Sequence, residues 1–112
     1  MKIGIASDHA GYAYKEALKV YLQSLGYAVE DFGAPSADSA DYADYAHPLA
    51  AAVSEGRLPK GVAICGSGEG VCMTVNKHPN VRAGLVWNEE VAALIRQHND
   101  ANILCLPARF IA

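Results

Sequence analysis

An alternation of two patterns constrains this chain more than anything else in it. Five short apolar runs, near Lys2–Ala6, Ala28–Phe32, Gly61–Ile64, Ala83–Trp87 and Ile103–Leu106, are separated by segments of helical periodicity. Several runs are almost continuously apolar, as parallel strands buried on both faces are. Strands alternating with helices predict an α/β fold with right-handed crossovers: a doubly wound, five-stranded parallel sheet in a three-layer, Rossmann-like α/β/α sandwich. The chain has 112 residues. One domain over 1–112 is expected, because that length removes roughly two-thirds of its unfolded surface from water.

The helical segments carry their own signals. Leu18, Tyr21, Leu22 and Leu25 recur at i, i+3, i+4 and i+7, and Gly26 supplies a stop. Tyr45, Ala46, Leu49 and Val53 share the face of a second helix. Pro48 has no N–H to donate and is harmless only in a first turn, so that helix is expected to start near Tyr45, with Asp41-Tyr42 in the loop before it. A short third helix is expected from Gly70 to about Lys77. A fourth carries Val91, Leu94, Ile95 and His98 on one stripe, with His98 at its end.

Composition excludes several function classes. The net charge is −3 and no basic run occurs, so the electrostatic footprint of a general nucleic-acid binder is missing. No apolar run approaches the roughly 18 residues that cross a bilayer, and Met1–Ile5 leads directly into a strand. Three cysteines without CxxC spacing argue against a disulfide framework or a zinc site and fit a reducing cytoplasm. No metal or cofactor is expected.

In an open parallel sheet, ligands bind beyond the carboxyl ends of the strands. Ser7-Asp8-His9-Ala10-Gly11 follows the first run, Cys65-Gly66-Ser67-Gly68-Glu69-Gly70 the third, Asn88 the fourth and Arg109 the fifth. The glycine-rich turn lets backbone N–H groups converge on an anion, or it is simply a tight turn. It lacks the Lys-Ser/Thr ending of a P-loop, and it follows the third strand rather than the first. Cys65, just before it, is either a buried strand-end thiol or a base beside a ready oxyanion site. Cys72 and Cys105 fall in apolar segments and read as core. Asp8-His9 either binds hydroxyls and phosphate or caps the first helix. His98 reads equally as a packed histidine or a functional one, and His47 and His78 read as surface residues.

Taken together, SDHAGYAYKEAL (7–18), DYADYA (41–46), ICGSGEGVCMTVNK (64–77) and RQHNDANIL (96–104) resemble the ribose/galactose isomerase family, in particular its type-B ribose-5-phosphate isomerase branch. The resemblance spans nearly the whole chain. It implies a metal-independent aldose–ketose isomerase that interconverts ribose 5-phosphate and ribulose 5-phosphate. Carried over by position, it implies that Cys65 moves the proton between C1 and C2. Backbone N–H groups of Gly66, Gly68 and Gly70, with Asn99, would hold the enediolate, and Ser67 would hydrogen-bond the substrate. His98 would assist ring opening, with Asp8 binding hydroxyls or sharing that step. Tyr42 would line the sugar pocket, and His9 and Arg109 would contact phosphate. A hexose-6-phosphate isomerase (galactose or allose 6-phosphate) and a non-catalytic sugar-phosphate-binding or assembly subunit are the alternatives.

His98 precedes the fifth strand and Cys65 ends the third, so they sit at opposite edges of the sheet, about 16 Å apart. His98 and Asn99 are therefore expected to serve a neighbouring copy in a homodimer or dimer of dimers. Four departures from the family stand out. Asp-Tyr-Ala replaces the Asp-Tyr-Pro of many relatives, Glu69 places a carboxylate in the glycine turn, and Val71 stands where some relatives carry a glutamate base. The chain ends at Ala112, where relatives continue into further helix with additional arginines.

Overall fold

A computed structural model describes residues 1–111. Its five strands are β1 (Lys2–Ser7), β2 (Ala28–Asp31), β3 (Lys60–Cys65), β4 (Ala83–Leu85) and β5 (Ile103–Pro107). They form one parallel sheet in the order β2-β1-β3-β5-β4. The helices are α1 (Tyr12–Ser24), α2 (Tyr42–Ser54), α3 (Glu69–Val75) and α4 (Glu89–Gln97). This is the expected doubly wound α/β/α sandwich. Among the described residues no helix is long and apolar enough to cross a membrane.

Register assigns the two faces. Residues paired across parallel strands point the same way, so Ala6, Ala63, Cys105 and Leu85 share one face and Ile5, Val62, Leu104 and Gly84 the other. The first set joins Leu49 and Val53 of α2 and Val71 and Val75 of α3 in the core. Gly4 and Gly61 make this possible. A Cβ built on either would meet Leu49 Cδ1, at 2.5 and 2.9 Å respectively, so only glycine lets α2 lie this close to β1 and β3. On the other face Ile95 of α4 packs over Gly84. That face is thinner: α4 buries no residue fully, and Val62, Leu104 and Leu106 are only partly covered.

Two helix expectations are corrected. The α2 helix begins at Tyr42, not Tyr45, because Asp41 accepts the Ala43 N–H at 3.0 Å and caps it. Pro48 thus lies inside the helix, where it withholds the bond to the carbonyl four residues back. Its ring is exposed, and the buried face of Ala46, Leu49, Ala50 and Val53 holds the helix across the gap. On α1 the stripe is displaced: Tyr21 and Leu25 are exposed, and the fully buried residue is Lys15. Its ammonium reaches Asp31 at 2.6 Å and Glu16 at 2.9 Å. The stop at Gly26 is as expected. Gly26 has φ +94°, and Tyr27 N–H donates to the Leu22 carbonyl as a Schellman turn requires.

Strand ends shift slightly. The β4 strand stops at Leu85, leaving Trp87 exposed, and Phe32 lies past β2. Cys105 is buried, as read. Its hydrogen bond to Cys72, and then burial, push its thiol far above the usual range. Cys72 is half-buried against the same core, and that hydrogen bond lowers it. His47 is exposed and His78 half-buried; their rings meet at 2.9 Å between α2 and the turn after α3.

Candidate active site

The same parity that builds the core builds the site. Asp8 follows Ala6, and Cys65 follows Ala63, both by two residues. Asp8 and Cys65 therefore face α2 and α3, Asp8 just past the end of β1 and Cys65 as the last residue of β3. The first residue of α2, Tyr42, and the first turn of α3 close over them. A cleft of about 480 Å³ results, walled by Asp8, Tyr42, Cys65 and Gly70. Gly66, Ser67, Arg109 and Phe110 complete its lining.

Each wall is held by backbone bonds. Asp8 N–H donates to the Ile64 carbonyl, and one Asp8 carboxylate oxygen accepts the Gly11 N–H at 3.0 Å. Asp8 is thus nearly buried: it ties down the turn into α1, whose N-cap is Gly11 rather than Asp8, and it lines the cleft. Past β5 the chain folds back. Ala108 N–H donates to the Cys65 carbonyl and Arg109 N–H to the Gly66 carbonyl. This lays the Arg109 side chain over Gly66, where an added Cβ would meet its Cδ, Nε and Cζ at 3.2–3.3 Å.

Gly68 takes φ +75° and leads into α3. Ser67 Oγ accepts the Glu69 N–H at 3.2 Å, which leaves its own proton free for a ligand. Glu69 is exposed and does not line the cleft. His9 is not part of the cleft wall. Its Nδ1 lies 3.1 Å from both the N and the O of Ala40, which ties it to the loop before α2, beside Asp8.

Not every expected residue gathers here. His98 is the exposed C-cap of α4 at the opposite edge of the sheet, so its packed-core reading is corrected. Asn99 lines a separate cavity of about 350 Å³ at that same edge, and its carbonyl accepts from Arg82 Nε. Asn88 caps α4 by accepting the Val91 N–H at 2.9 Å and takes no part in the cleft. Phe110 lines the cleft without having been singled out. The signal available was an aromatic beside a strand-end arginine.

A strand-end thiol and a carboxylate beside a glycine-rich turn are the residue types that proton transfer next to an anion hole calls for. An arginine at its mouth suits an anionic substrate. This is the equipment of an isomerase that works through an enediolate.

The model of the Ribose/Galactose Isomerase family matches residues 3–112, and the chain belongs to that family. It is 43% identical over 111 residues to a probable ribose-5-phosphate isomerase B of Mycoplasma genitalium, covering 97% of this chain and 73% of the relative. The solved Clostridium thermocellum ribose-5-phosphate isomerase B is 44% identical with a TM-score of 0.98, covering 100% of this chain and 76% of that one. A Mycoplasma genitalium ribose-5-phosphate isomerase B solved with bound ribulose-5-phosphate has a TM-score of 0.94 at 42% identity, covering 99% of this chain and 74% of that one.

Proposed function

We propose that the chain, one sugar-phosphate isomerase domain acting in the cytoplasm, interconverts ribose 5-phosphate and ribulose 5-phosphate through an enediolate. The observation that carries this is Cys65 in the wall of the cleft together with Asp8 and the turn residues Gly66, Ser67 and Gly70. In the forward direction the Cys65 thiolate takes the proton from C2 of the open-chain aldose. Negative charge moves onto the C1 oxygen, where the turn's N–H groups hold it. The thiol then returns the proton to C1 while the C2 hydroxyl proton passes to the C1 oxygen, giving the ketose. Arg109 holds the phosphate at the cleft mouth, with His9 reaching it from outside the cleft wall beside Asp8, and the phosphate's binding energy positions the reacting carbons. Asp8 and Ser67 bind hydroxyls.

The site is complete only with a second copy. His98 and Asn99 of one chain reach the cleft of its neighbour across a two-fold interface, His98 assisting ring opening and Asn99 adding a donor for the enediolate. The exposure of His98 at the far edge of the sheet supports this.

Two assays test the reading. Cys65→Ala should lower isomerase activity on ribose 5-phosphate at least about a thousandfold, near 4 kcal/mol of transition-state stabilisation, with the fold intact by circular dichroism. Unchanged activity removes Cys65 as the base. For the shared site, inactive Cys65→Ala and His98→Ala proteins are unfolded together and refolded as a mixture. Random pairing in a two-fold dimer restores one intact site per mixed dimer, about a quarter of wild-type activity. No recovery rules out the shared site.

A further inference from the structure

We propose that Tyr42, seated on Gly70, is the wall that sets how long a sugar phosphate the cleft accepts. This rests on the sugar-phosphate reading above and adds to it a determinant of chain length. Tyr42 and Gly70 both line the cleft. A Cβ built on Gly70 would lie 2.7 Å from Tyr42 Cζ, 2.9 Å from Cε1 and 3.0 Å from Cε2. Three nearly equal distances put that point over the face of the ring rather than at its edge. The ring therefore lies flat on the bare Gly70 backbone and cannot retreat through it.

Its other anchor is equally fixed. Tyr42 is the first residue of α2, and the Asp41 cap holds that turn through Ala43 N–H. With its backbone held by the α2 cap and Gly70 behind it, the ring of Tyr42, which is 37% exposed, yields toward the cleft or toward solvent, not toward Gly70. A methyl at position 70 would have to restore ordinary contact, moving the ring from 2.7 Å toward 3.4 Å or beyond. Taken into the cleft, which Tyr42 lines, that shift narrows a site in which each additional CHOH unit needs its own space. Removing the ring does the opposite and opens the wall.

Phosphorylated aldonic acids of four, five and six carbons test this, because their carboxylate imitates the enediolate and their binding needs no turnover. Their dissociation constants are measured by calorimetry on the full chain, on Tyr42→Phe and on Tyr42→Ala. Tyr42→Ala should shift the six- to five-carbon affinity ratio about tenfold or more toward six carbons, the discrimination a single carbon unit commands, while Tyr42→Phe keeps the ratio within about threefold. Gly70→Ala, where it folds, should shift the ratio toward four carbons. Equal losses for all three acids in Tyr42→Ala, or no binding of any acid by the wild type, overturns the proposal. A wild type that binds the acids with length preference but does not isomerise ribose 5-phosphate refutes the proposed reaction alone.

Discussion

Gly68→Ala tests how tightly fold and site are joined. Gly68 has φ +75°, where an alanine carries a penalty of about 1–2 kcal/mol. Its new Cβ would also lie 2.5 Å from Leu85 Cδ1 and 3.1 Å from the backbone Leu106 C and Pro107 N. The leucine methyl can rotate aside; the backbone of β5 cannot. Overpacking of this kind adds about 1–3 kcal/mol. The two effects sum to about 2–5 kcal/mol, which lowers the melting temperature of a domain this size by about 8–25 °C. The same strain moves the N–H groups between Ser67 and Gly70, and a displacement near 1 Å costs about a hundredfold in rate. Thermal melting by circular dichroism and kcat/KM on ribose 5-phosphate below the melting range read the two effects separately. A variant that melts within a degree of wild type with unaltered kcat/KM would refute the account of this turn.

Leu49→Ala should cost about 2–5 kcal/mol in urea denaturation, since Leu49 is fully buried and the glycines beneath it cannot fill the cavity. Lys15→Met should cost about 1–2 kcal/mol in the same assay. This lies below the usual cost of breaking a buried pair, because Asp31 is partly exposed and keeps Lys19 at 2.8 Å. Burial raises the Asp31 carboxyl, but hydrogen bonds from Lys15, Lys19 and Gly33 outweigh it and hold the group below its usual range. Its contribution to stability is therefore full above the unfolded value near pH 3.9 and is lost as pH falls through the lower folded value. Urea titrations should show a constant gap between wild type and Asp31→Asn from pH 7 to about pH 4.5, closing at lower pH.

Strand positions were legible because their signal is local: apolar runs bounded by turns specify β1, β3 and β5 nearly to the residue. The start of α2 was not, because two local rules compete there. Asp41 as a cap favours Tyr42, and Pro48 favours a later start. Packing of Ala46, Leu49, Ala50 and Val53 on the sheet outweighs one missing hydrogen bond. That outcome also decides the cleft, since it places Tyr42 on a helix rather than in a loop. The α1 stripe misled for a related reason. A lysine reads as surface until a carboxylate on the neighbouring strand β2 takes its charge, and Asp31 pairs with Lys15 only through the β1–β2 register. Cys65 and Asp8 were legible as strand-end residues, yet their convergence follows from parity across paired strands, which the sequence pattern does not carry. The parity that turns Ala6 and Ala63 into core turns Asp8 and Cys65, two residues on, into cleft wall. The glycines that let α2 approach the sheet therefore also set how closely Tyr42 closes over the thiol, so a change that loosens Leu49 on Gly4 and Gly61 should be felt in the cleft as well as in stability.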